Sequence, residues 1–264
     1  MTDEKPALKL TVLGARGSMP VEGKIFEKFG GATSCFKVQA GEEEIFLDAG
    51  SGIFNAKTEQ NSHVTILLTH MHLDHIVGLP FFSTLGESGR PIDIYAAERG
   101  GLSAKDAVDR LISPPFWPIK IENYPAATKI HALPEKNFFI GDVQIDFIEG
   151  THPSGATIFK LTRQKKSLVY ATDFEHINGC EKLINFAANC DLLLYDAQYT
   201  DEEYPRYKGY GHSTPEVGLK VAEKAGAKKL LFVHHAPNRT DAELSEMEKK
   251  FSVNFAKIGD EIFL

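Results

Sequence analysis

Cysteine is scarce in this chain. Cys35, Cys180 and Cys190 are the only three in 264 residues, an odd number with no C-x-x-C spacing. A disulfide framework is therefore not expected; the three read as small buried hydrophobes in a reducing, cytoplasmic setting. No apolar run approaches the length needed to cross a bilayer, and Met1–Pro6 carries no apolar signal segment, so no membrane partner is expected. Basic residues are in deficit: the formal net charge is −7. That excludes a protein that grips nucleic acid with its whole surface, though not one with a local basic patch. Low-complexity linkers and short repeats are also missing. What remains is a chain with 42% hydrophobic residues, enough for a full core, read as a single domain over residues 1–264.

Hydrophobic periodicity and turn signals divide the chain into strands at Leu8–Leu13, Cys35–Ala40, Glu44–Asp48, Val64–Leu68 and Ile92–Ala96. A helix follows the residues after Val64–Leu68, and another is expected near Ser103–Ile112. The proline-rich, aromatic segment Ser113–Pro125 reads as a loop. Strands then recur at Lys129–Leu133, Val143–Glu149, Ala156–Thr162 and Ser167–Thr172. The last third alternates: helix Glu181–Ala188, strand Leu192–Tyr195, helix Pro215–Ala225, strand Lys229–Val233, helix Asp241–Phe251. Ser213-Thr214-Pro215-Glu216 and Thr240-Asp241-Ala242-Glu243 both carry helix-start signals, each read as a capping box. Each half runs strands first, then strands with helices, which fits two packed sheets with helices outside.

The densest chemistry lies in His70-Met71-His72-Leu73-Asp74-His75, an H-x-H-x-D-H run directly after an apolar strand. Residues two apart in an extended segment face the same way, so His70 and His72 can bind one ion from one side. Asp74 and His75 follow as the chain turns and can reach a second. Imidazole with carboxylate suits zinc, and also iron or manganese. Further ligand candidates stand at other strand ends: His152, Asp173, and His234 or its neighbour His235. Alone, each has a plain structural explanation; together they recur at the same place in the fold as the histidine run.

The ordered set His70-x-His72-x-Asp74-His75, His152, Asp173, His234 resembles the metallo-β-lactamase superfamily over nearly the whole chain. Asp48, in Phe46-Leu47-Asp48-Ala49-Gly50, matches that family's first motif, an acid that supports the site without binding metal. The resemblance implies an α/β fold, an αββα sandwich of two mixed sheets flanked by helices, with metals at one rim. It implies two divalent ions: one held by His70, His72 and His152, the other by Asp74, His75 and His234, with Asp173 between them. His234 is preferred to His235 because it directly follows the strand.

Within the superfamily, the redox di-iron branch has Glu where this chain has His72, which favours hydrolysis. Gly211-His212-Ser213-Thr214 is similar to the G-H-S-T motif of the ribonuclease Z and phosphodiesterase branch, as is His75-Ile76-Val77-Gly78-Leu79-Pro80. In that branch the motif's histidine reaches the scissile phosphate and pairs with an acid at an earlier strand end. Asp196 stands there in this chain, where ribonuclease Z has Glu. No Gly/Pro-rich arm for holding transfer RNA is visible. The Gly14–Pro20 loop with Gly30–Cys35 looks like bacterial small phosphodiesterases, which carry Asn where this chain has Ala32. The expected activity is therefore hydrolysis of small or cyclic-nucleotide-type phosphodiesters by a metal-bridging hydroxide. His212, Asp196, Asp74 and His235 are the candidate catalytic residues. RNA 3′-end processing, lactone or thioester hydrolysis, and a metal- or nucleotide-sensing binding protein are the alternatives. The expected partners are a small phosphodiester or nucleotide and a second copy of the chain, with structured RNA ranked below them. Tyr199, Tyr204, Tyr207 and Tyr210 with Arg206 and Lys208, and Phe116 with Trp117, either wall a substrate or pack their loops. Arg16 and Ser18 are weaker candidates to face the site.

Overall fold

The structure is a computed structural model and describes residues 6–60 and 62–264; the segment Met1–Lys5, included in the signal reading above, lies outside them. Strands β1 (Lys9–Gly14), β2 (Cys35–Ala40), β3 (Glu43–Leu47), β4 (Val64–Leu68), β5 (Pro91–Ala96) and β6 (Ala127–Ala132) come from the first half. The second half supplies β7 (Phe138–Ile140), β8 (Val143–Gly150), β9 (Ala156–Arg163), β10 (Lys166–Ala171), β11 (Leu192–Asp196), β12 (Leu230–Val233), β13 (Asn254–Phe255) and β14 (Glu261–Phe263). Helices are α1 (Leu73–Ile76), α2 (Ala104–Leu111), α3 (Glu181–Phe186), α4 (Tyr204–Tyr207), α5 (Pro215–Ala225) and α6 (Asp241–Phe251).

Two seven-stranded sheets result, ordered β14-β1-β2-β3-β4-β5-β6 and β13-β12-β11-β10-β9-β8-β7. Both are mixed: β3 through β6 are parallel in the first, β10 through β13 in the second, and the remaining pairs are antiparallel. The expected sandwich is thus observed. The hydrophobic pattern explains the layering. β1 alternates between half-buried and buried positions, burying one face, while β4 (VTILL) and β11 (LLLYD) are buried at every position because both faces are covered. A central core around Leu10, Val38, Phe159 and Leu194 joins the sheets. Two outer cores pack α2, and then α3, α5 and α6, against their backs. Parallel strands carried by crossover helices bring several strand C-termini to one rim, and this sets where chemistry can collect.

Several local expectations need correction. The helix after the histidine run is one turn only, α1. The short strands β7, β13 and β14 were not expected, nor was α4. The Thr240–Glu243 capping box forms, with both reciprocal bonds. The one proposed at Ser213–Glu216 does not: Thr214 is the N-cap, accepting from Val217 N, and Pro215 opens the helix. The Ser213 hydroxyl is taken instead by Tyr195 and His176.

Arg16 is fully buried and faces away from the rim, contrary to expectation. Its guanidinium donates to the carbonyls of Ala236 (3.1 Å), Arg239 (2.8 Å) and Gly30 (3.0 Å), tying the first loop to the segment after β12. Burial lowers its pKa to about 10, still cationic at neutral pH. Arg16→Met leaves the Gly30 and Arg239 carbonyls without a donor, while Ala236 O keeps Arg239 N, and should cost about 2–4 kcal/mol in urea unfolding. A change below about 0.5 kcal/mol would contradict this role.

Candidate metal centre

Each proposed ligand stands just past a strand end. Thr69–His72 leaves β4, Asp74 and His75 lie in α1, and His152 follows β8; Asp173 follows β10 and His234 follows β12. Asp48, Asp173 and His234 have left-handed backbones, with φ of 61°, 51° and 61°. Such conformations cost a non-glycine residue roughly 1–3 kcal/mol and collect at functional sites.

Four groups of ligand atoms converge, among them His70 with His72 and His152, and Asp74 with His75 and His234. His72 Nδ1 lies 3.2 Å from His152 Nε2. His234 Nε2 and His75 Nε2 lie 3.2 and 3.3 Å from Asp74 Oδ2. Asp173 divides its oxygens between the groups. Oδ1 is 3.7 Å from His70 Nε2 and 4.0 Å from His152 Nε2. Oδ2 is 3.2 Å from His75 Nε2 and 3.4 Å from His234 Nε2.

The surrounding hydrogen bonds fix which nitrogen faces inward for two of the rings. Asp48 accepts from His75 Nδ1 at 2.7 Å, and Thr69 Oγ1, itself donating to Asp48, meets His70 Nδ1 at 3.0 Å. Gly211 O accepts from His152 Nδ1 at 3.2 Å. A carboxylate or carbonyl only accepts, so the Nδ1 atoms of His75 and His152 carry protons, and their Nε2 lone pairs point into the cluster. Nε2 of His70 and of His75 are buried without a hydrogen-bond partner among the described residues. Buried lone pairs converging in this way fit a divalent cation of zinc, manganese or iron type.

Electrostatics divide the rings, His70, His72 and His152 being held neutral and His75 and His234 favoured as cations by the carboxylates beside them. Among the described residues, Asp48, Asp74, Asp173 and Asp196 have only histidines as ion-pair partners. Burial holds His70, His72 and His152 below the ordinary imidazole range, which keeps them neutral and ligand-ready. Burial opposes the charging of His234 too, but Asp173 and then Asp74 outweigh it and raise the group to about 9. Asp173 would be raised by burial; His234, His75 and His70 instead hold it well below the usual carboxylate range.

His212 and Asp196 meet beside this cluster, as expected. Asp196 Oδ2 accepts from His212 Nδ1 at 2.8 Å and from Asp173 N at 3.0 Å, while Oδ1 accepts from Gln198 N and Ser213 N. His212 lines a cleft of about 560 Å³ together with Ser18, Met71, His72, Leu73, Asp74, Leu111 and Asp173. Ser18 also donates its amide to Asp74 Oδ2 at 2.7 Å.

His235 is a correction. Its Nε2 donates to Ala256 O at 2.8 Å, its ring packs edge-on to Phe29, and burial followed by nearby Arg16 lowers its pKa to about 3. Neighbouring residues point to opposite sides, so His234 faces the rim and His235 faces the core. Trp117 is also structural, bonding Tyr124 at 2.7 Å and packing against Phe81, while Phe116 is exposed. Tyr199 stacks on Tyr207 at 4.5 Å and touches His212 edge-on at 5.8 Å, so the tyrosines pack their loop. The sequence reading missed Thr69, Tyr170 and Glu175. None lies in the ligand pattern, and Thr69 alone had a cue, as the residue next to His70.

A family model described as "Beta-lactamase superfamily domain" matches residues 43–235. A protein named Ribonuclease Z from Picrophilus torridus is 23% identical across 96% of this chain and 94% of its own length. A metallo-beta-lactamase fold protein from Bacillus subtilis has a TM-score of 0.73 at 23% identity, over 97% of this chain and 98% of that one. A diphosphatase from the PhnP family has a TM-score of 0.74 at 18% identity, also over 97% and 98%. At these identities the two structures speak to the fold alone.

Asp48→Asn replaces the acceptor of the His75 proton with a weaker one. Affinity for the second of two ions should fall about 10–100-fold in chelator competition, the first site being affected less. His234→Ala should lose the second ion and His235→Ala should keep both; the reverse pattern would overturn the placement of β12's end.

Proposed function

Because this chain belongs to the beta-lactamase superfamily and is a hydrolase of that fold, we propose that it is a dinuclear-metal phosphodiesterase acting on small or cyclic-nucleotide-type diesters. His70, His72 and His152 would hold one ion, Asp74, His75 and His234 the other, and Asp173 both; zinc is the first choice and manganese or iron the next. Bound there, the ions supply Lewis acidity toward phosphoryl oxygens and a water nucleophile at neutral pH.

The observation that carries the phosphodiester reading is the His212–Asp196 pair, bonded at 2.8 Å and lining the cleft beside the ligand groups. Asp196 accepts a hydrogen bond from His212 Nδ1, leaving Nε2 for the substrate. A proton taken up at Nε2 from solvent before the P–O bond breaks would pass to the leaving alkoxide, with the Asp196 carboxylate offsetting the positive charge of the imidazolium until that transfer. Backbone amides of Asp173, Gln198 and Ser213 hold Asp196 rigidly in that role. The name of the Picrophilus relative, a ribonuclease, agrees with phosphoryl chemistry. A cleft of about 560 Å³ suits a nucleotide-sized ligand, and a net charge of −7 works against broad RNA binding. RNA 3′-end processing is the second reading, favoured by the likeness to Ribonuclease Z over most of the chain. We place this activity in a single unit over residues 1–264 in a reducing cytoplasm, where free Cys35, Cys180 and Cys190 fit. Among the described residues no helix is long and apolar enough to cross a membrane.

His212→Ala should retain both ions yet lose on the order of 10²–10⁴ in turnover of a diester with a poor alkoxide leaving group. With p-nitrophenolate leaving, the loss should be much smaller, since that anion needs no proton. Asp196→Asn should show the same dependence more mildly. Equal losses on both substrates, at equal metal content, would place His212 in binding rather than proton transfer.

A further inference from the structure

Glu175 is a carboxylate buried to 2% exposure, two residues past Asp173, and no lysine or arginine pairs with it among the described residues. A buried carboxylate is costly unless its oxygens are satisfied. Here they are satisfied by one short loop. Oε1 accepts from Tyr204 OH at 2.9 Å and Gly209 N at 2.7 Å, and Oε2 accepts from Gly211 N at 3.0 Å. The same residue's backbone amide donates to Thr151 O at 2.8 Å. Glu175 therefore grips both sides of one contact: Thr151 precedes His152, and Gly211 supplies the carbonyl that accepts from His152 Nδ1.

That contact has no slack. Gly211 has φ +94°, and a Cβ there would lie 2.0 Å from His152 Nδ1 and 2.6 Å from Pro153 Cδ. The carbonyl of Gly211 selects the His152 tautomer whose Nε2 lone pair faces His72 and Asp173, and its position follows from the two amide bonds to Glu175. Gly211 also directly precedes His212.

We propose that Glu175 is a positioning residue that fixes the tautomer and placement of His152 through the Gly209–Gly211 turn. The metal consequence rests on reading His152 as a ligand; the tautomer itself does not. Glu175→Gln is the informative substitution. Its amide nitrogen cannot accept, so at least one of the two glycine amides loses its partner with almost no change in volume.

The first readout is the ring-nitrogen spectrum of His152 by ¹⁵N-resolved NMR on metal-free protein. Wild type should show the Nδ1–H tautomer, and Glu175→Gln a mixture. The second is zinc affinity by chelator competition, where the site containing His152 should weaken about 10–100-fold while the site containing His234 changes little. Tyr204→Phe, which leaves both glycine amides on Glu175, should behave as wild type. An unchanged His152 spectrum in Glu175→Gln overturns the proposal, as does equal weakening of both zinc sites with a lowered melting temperature. If wild type binds no zinc, the proposed function fails, and the NMR comparison still decides the role of Glu175.

Discussion

One fully buried carboxylate, that of Asp48, holds the rim together. It accepts from Thr69 N at 2.8 Å, Thr69 Oγ1 at 3.0 Å, His75 Nδ1 at 2.7 Å and Tyr170 OH at 2.9 Å. Thr69 carries the end of β4 and, through its hydroxyl, the ring of His70. His75 lies in α1, and Tyr170 belongs to β10 in the opposite sheet. A single acid thus sets two imidazoles and locks one sheet to the other at the point where the ligands meet. Removing it would leave several buried donors unpaired at once, each loss costing about 1–3 kcal/mol.

The rest of the rim follows from how strands end. Parallel strands deliver their C-termini to one edge, and β10 and β12 are each followed within two residues by one with left-handed backbone, Asp173 and His234. That local cost turns each side chain into the space between the sheets, and the sandwich core supplies the stability that tolerates it. Acids and imidazoles then offset one another's burial. Asp173 is kept ionised chiefly by His234 and His75, while burial keeps His70, His72 and His152 neutral. The neutral rings and ionised acids together form a donor set suited to cations.

The cluster of candidate ligands was legible because the constraints on it are local. H-x-H-x-D-H after an apolar strand, and lone acids or histidines after later strands, can be read without knowing the fold. The long strands and α5 and α6 were legible for the same reason, through periodicity and caps. What escaped depends on distant partners. Glu175 acts through Gly209 and Gly211, more than thirty residues away, and Tyr170 through Asp48, 122 residues away. Strands of two or three residues, such as Asn254–Phe255 and Glu261–Phe263, are too short to show a period and exist only because a neighbouring strand pairs with them. Arg16 misled for a related reason: a cation in a glycine-rich loop resembles a substrate contact, and its three carbonyl partners include two more than two hundred residues on. His235 was separable from His234 only by the side of the strand end it occupies.

In the proposed centre Asp173 would lie between two metal ions held by otherwise separate groups of residues. Anomalous diffraction at the zinc edge, on crystals of the zinc-loaded protein, tests it most directly. The account predicts two peaks about 3.5–4 Å apart, one among His70, His72 and His152 and the other among Asp74, His75 and His234, with Asp173 in contact with both. A single fully occupied peak, or two peaks of which only one touches Asp173, would contradict it.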